Sequence, residues 1–158
     1  MDQTVLQLRR FAVGLALGGM LMGAGATAAL ADPQPAAAAK AAPLKKFATD
    51  EVLRQGMSNI AAQLDKSWKE IQGNQLQGPA YLDLAGQVEG QVTNIVKNCK
   101  LDPRADHAFH EILSDLNQAT GLMRRTKPEI QRAGALALAQ ALRNYAKYFD
   151  HPGWTGPQ

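Results

Sequence analysis

With 158 residues and a formal net charge of +3, the chain has the length of one domain and no strongly basic character. Past the first ten residues its adjacent basic pairs are Lys45-Lys46 and Arg124-Arg125, without interleaved aromatics, so a nucleic-acid groove is not expected. A single cysteine, Cys99, excludes an internal disulfide.

The first 31 residues read as an export signal. Arg9 and Arg10 supply the basic start, Phe11 to Leu30 is apolar and rich in Gly and Ala, and Ala29-Leu30-Ala31 has the small-x-small form that signal peptidase accepts. Cleavage there leaves Asp32 as the mature start, a periplasmic location and no stable membrane insertion. The apolar run is also long enough to serve as an uncleaved anchor. Residues 32–46 are dominated by Ala and Pro and carry too little apolar bulk to pack, so they read as a flexible linker.

Four helices follow, over residues 47–151. In the first, Thr49 is the expected cap, and Leu53, Met57, Ile60, Leu64, Trp68 and Ile71 recur at helical steps. Gly78-Pro79 opens the second, whose seam is Tyr81, Ala85, Val88, Val92, Ile95 and Cys99. Gly86 and Gly90 within it either admit a neighbouring helix or are simply tolerated. Asp102 and Pro103 start the third, which carries the most regular repeat: Ala105, Phe109, Ile112, Leu116, Ala119 and Met123. Pro128 starts the fourth, with Ile130, Gly134, Ala137, Ala141, Tyr145 and Tyr148 as its seam and Leu138, Leu142 and Phe149 widening it. His151-Pro152-Gly153 ends it, leaving 152–158 as a tail. Short connections and no period-two stretch make the chain all-α, an antiparallel up-down-up-down four-helix bundle.

Alternating helix directions would gather Met57, Cys99, His107, His110 and His151 at one pole. Thiolate with imidazole suits copper, above all cuprous ion, and also zinc. Asp106 and His110, and His107 and Glu111, are spaced four apart, so each pair can face one ion. The expected metal ligands are therefore Cys99, Asp106, His107 and His110. Advancing about 100° per residue from Ala105 nevertheless puts His110 on the flank and His107 outward. Asp106 and His110 also fit a plain exposed charge pair, His151 a helix-ending cation, and Met57 core packing. No CxxC, CxxCH, HExxH or glycine-rich phosphate loop is present, and a buried Cys99 at a helix C-terminus disfavours a nucleophile, so no enzymatic activity is expected.

An export signal followed by such a bundle resembles the periplasmic cytochrome b562 and cytochrome c′ type in architecture. That resemblance implies haem b held by an early methionine and a late histidine, places held here by Met57 and His151, and an electron carrier; the covalent attachment signature of cytochrome c′ is absent. The leading expectation is a metal-handling protein binding copper or zinc. The competing one is a metal-free envelope interaction protein, or homodimer, using the exposed flank of the third helix and the aromatic end Tyr145, Tyr148, Phe149 and Trp154.

Overall fold

The computed structural model describes residues 45–157. The export signal and all but the last two linker residues fall outside them. The described chain is all-α, with α1 (Glu51–Gln72), α2 (Gly78–Asn98), α3 (Pro103–Met123) and α4 (Pro128–Tyr148) packed as a four-helix bundle. Consecutive helices are neighbours, α1 also packs on α4, and α2 reaches α4 across the centre. Among the described residues no helix is long and apolar enough to cross a membrane.

Each helix begins where the sequence frees a backbone donor or fixes φ. Asp102 accepts hydrogen bonds from the N–H groups of Arg104 and Ala105, and Pro103 and Pro128 occupy first helical positions. The cap of α1 is Asp50 rather than Thr49: its Oδ1 accepts from Leu53 N–H at 2.7 Å. Thr49 instead donates its hydroxyl to the carbonyl of Asp150 at 2.6 Å. Past the last turn of α1 Arg132 donates to the carbonyls of Ile71 and Gln72, the former shared with the amide of Asn74.

The core takes the expected row from α3 in full: Ala105, Phe109, Ile112, Leu116, Ala119 and Met123 are all buried. In α4 the buried row is Ala135, Leu138, Ala139, Leu142, Tyr145 and Phe149, together with Gly134 and Ala141. Tyr148, expected in the seam, is 47% exposed. In α2, Val92 and Cys99 are only partly buried. Every buried side-chain nitrogen or oxygen among the described residues has a hydrogen-bond partner, so the interior holds no orphaned polar group awaiting a ligand.

Two glycines mark close helix approaches. A Cβ on Gly134 would lie 2.7 Å from both the carbonyl oxygen of Ala119 and the amide nitrogen of Met123, so α3 and α4 meet backbone to backbone there. A Cβ on Gly56 would lie 2.5 Å from a side-chain carbon of Ile95, a contact α1 makes with α2. Gly90 is different: a Cβ there would meet nothing within 4 Å. Gly86 has only the guanidinium of Arg124 nearby, at 3.9 Å. These two are tolerated rather than required. Gly90→Ala is expected to raise stability by about 0.5–1 kcal/mol by removing backbone freedom from the unfolded chain, measurable as a higher urea midpoint with unchanged slope.

A clasp joins the two ends of the described chain. Phe47 N–H donates to the carbonyl of Tyr148 and Asp150 N–H donates to the carbonyl of Phe47, each at 2.8 Å, an isolated parallel bridge. The ring of Phe149 stacks on Tyr145 at 5.2 Å and meets the edge of Phe109 at 5.8 Å and the tilted ring of Phe47 at 5.7 Å. Trp154, in the expected tail, packs on Tyr145 at 5.0 Å.

Candidate functional site

The pole expected to gather the thiol and imidazoles is divided into three environments. In the first, Cys99, Asp106 and His110 line one depression of about 200 Å³ together with Val96, Phe109 and Leu113. His110 donates from Nδ1 to the carbonyl of Asp106 at 2.9 Å, with the Asp106 carboxylate 3.7 Å away. That bond leaves Nε2 as the ring atom with a free lone pair. The Cys99 thiol is pushed up from its usual pKa by burial first and then by the carboxylates of Asp50 and Asp106. It is a poor nucleophile, and metal binding there would have to displace its proton.

His107 is exposed and does not line that depression. Residues 107, 110 and 111 fan out around α3 at about 100° per residue. His110 turns toward α2, Glu111 toward α4, and His107 falls between them, facing solvent. Among the described residues no group of three or more His, Cys, Asp and Glu side chains is arranged to hold a metal ion.

The second environment belongs to His151. Its Nδ1 lies 2.9 Å from the hydroxyl of Tyr145 and its Nε2 lies 3.3 Å from the hydroxyl of Ser58. Burial holds Tyr145 well above the usual phenol range, so Tyr145 keeps its proton and donates it to Nδ1; Nε2–H then faces Ser58. Met57 is fully buried in the core. Both ring nitrogens of His151 are thus engaged and Met57 is packed, so neither presents a spare ligand atom for haem.

Burial, and after it the cation of Arg54, lowers the pKa of His151 below its usual value. Because the folded pKa is depressed for a base, the unfolded chain binds the extra proton in the interval from the folded value up to about 6.5. The contribution of His151 to stability therefore rises with pH across that interval and is flat above it. Urea unfolding at a series of pH values should show this slope, and His151→Gln should remove it.

The third environment lies on the outside of the α3–α4 seam, a groove of about 430 Å³. Its apolar surface comes from Phe47, Ala108, Ile112 and Tyr148. Its polar groups are Glu111, Asp115 and Asn144, with Asn144 donating to Asp115 at 3.3 Å. Farther along the seam a depression of about 190 Å³ shares Asp115 and Asn144 and extends it past Ala137 and Ala141. No lysine or arginine among the described residues lies within ion-pair distance of Glu111 or Asp115. The sequence offered the exposed flank of α3 and the aromatic end as one surface; Tyr145 and Phe149 of that end are buried, and Tyr148 is the aromatic of α4 that lines this groove with α3.

Comparison with known protein families, with curated proteins and with solved structures finds no match to this chain.

Proposed function

We propose that the protein is an exported, non-catalytic interaction protein of the cell envelope, built as an up-down-up-down bundle, which binds its partner in the α3–α4 groove. Two contacts support alternating helix directions. Asp50 at the start of α1 accepts from the amide of Lys100 just past α2, and Phe47 before α1 pairs with Phe149 just past α4. The observation that carries the reading is the groove itself. It has the volume of a ligand pocket, it is mostly apolar, and Tyr148 stands 47% exposed beside it with no core role. An exposed tyrosine beside aliphatic surface is the kind of residue that anchors interfaces. Tyr148→Ala should leave the folded state within about 1 kcal/mol of wild type while abolishing co-isolation of the partner from the envelope fraction. Co-isolation unaffected by this change would refute the groove as the binding surface.

A second reading, a transition-metal site for copper or zinc in metal handling, rests on a separate observation. Cys99, Asp106 and His110 line one depression, with Nε2 of His110 left as the free ring nitrogen, and an ion would have to draw their side chains together. His107 takes no part in this version of the site. Titration with cuprous and zinc ions should then give one bound equivalent that is lost in the Cys99→Ala, His110→Ala double variant, and equal affinity in that variant would remove the reading.

A further inference from the structure

Resting on the groove as the docking surface, we infer that what it takes is a basic segment of a partner protein, an apolar stretch carrying lysine or arginine side chains spaced one helical turn apart. Glu111 and Asp115 are four residues apart on α3, so their carboxylates stand on one line along the trough. Neither has a cation within ion-pair distance in a chain whose overall charge is positive. The wall opposite is mainly aromatic, from Phe47 and Tyr148, with Asn144 beside them on α4. A long cationic side chain satisfies both surfaces at once, laying its methylenes on the apolar wall and its charge against the carboxylates. A tyrosine face beside the carboxylates adds attraction for the same cation.

Charge also marks where the segment stops. The adjoining depression, which shares Phe47, carries Lys45, Lys46 and Arg104 against one carboxylate, Asp102. Beyond Phe47 the acidic groove thus gives way to a basic surface, and a basic segment lies along the α3–α4 seam rather than across the clasp. The extension of the trough past Asp115 and Asn144 gives the segment length, as in helix-in-groove recognition.

The test uses protein expressed from the full 158-residue sequence and three synthetic amphipathic peptides of about four helical turns. They share one leucine face and differ only at two flanking positions four apart, occupied by Lys, Gln or Glu. Amide NMR shifts are followed during titration. The Lys peptide is expected to perturb Ile112, Asp115, Asn144 and Tyr148, to bind about tenfold more tightly than the Gln peptide, and to lose that advantage in the Glu111→Gln, Asp115→Asn double variant and at high salt. Equal binding of the Lys and Gln peptides in the groove would overturn the basic segment and leave the docking groove standing. Perturbation confined to other surfaces, no binding, or self-association of the chain through the groove in sedimentation would overturn the inference as well, and whether the groove docks anything is then read independently from the Tyr148→Ala co-isolation.

Discussion

Replacing Phe149 by Ala is expected to destabilise the protein by about 3–5 kcal/mol, the range for removing a fully packed phenylalanine. Phe149 is 1% exposed and its ring touches Tyr145, Phe109 and Phe47, which come from α4, from α3 and from the segment before α1. Its loss leaves a cavity bordered by three aromatic rings that rigid helices cannot collapse to fill. It also loosens the backbone bridge by which Phe47 is paired to the residues flanking Phe149. Urea unfolding followed by circular dichroism measures the loss. Tyr148→Ala, one residue earlier and on the outside, is the control, and a similar cost for the two would mean that the clasp is not part of the core.

Gly134→Ala carries the second large effect, about 1–3 kcal/mol or more of destabilisation, although alanine is the better helix former by roughly 1 kcal/mol. The added methyl would sit 2.7 Å from two backbone atoms of α3 and 2.8 Å from Cγ of Met123. Backbone cannot step aside as a flexible side chain can, so α3 and α4 must separate. Gly56→Ala clashes with the side chain of Ile95 rather than with backbone; because Ile95 is buried and β-branched it yields little, and this change should be destabilising too. Separating α3 from α4 at this contact also alters the extension of the groove, which runs along the same seam as far as Ala137. Gly134→Ala should therefore weaken partner binding as well as stability, whereas Gly90→Ala should spare binding while raising the urea midpoint.

Much of the fold was legible because the physics that sets it is local. The four-three alternation of apolar residues in α3 maps residue for residue onto the buried face, and Asp102-Pro103 marks its start. The fourth helix was harder to read because alanines populate two adjacent rows and either can pass for the seam. Tyr148 and Phe149 compete at its end; the chain leaves helical geometry at Phe149 (φ −114°, ψ 137°), which turns that ring inward and leaves Tyr148 outside. Glycine roles were equally hidden, since propensity says what a glycine costs and only packing says which one is needed. Gly134 lies on the apolar seam of its helix and Gly90 off it, but only packing shows that the first admits a neighbouring backbone and the second meets nothing.

The outward direction of His107 and the flanking position of His110 followed from the helical wheel alone. The groove did not, because Glu111 and Asp115 become a site only when Tyr148 and Asn144 arrive from another helix. Nor did the clasp, whose partners Phe47 and Phe149 come from opposite ends of the described sequence without any motif to announce them.

The most direct test of the central claim is photocrosslinking in cells, with a light-activated amino acid placed in turn at Tyr148, at His110, and at Leu82, an exposed apolar residue of α2. Docking in the α3–α4 groove predicts one discrete adduct from position 148, lost when Glu111 and Asp115 are neutralised, and none from position 82. Adducts from 82 or 110 with none from 148 would contradict the account.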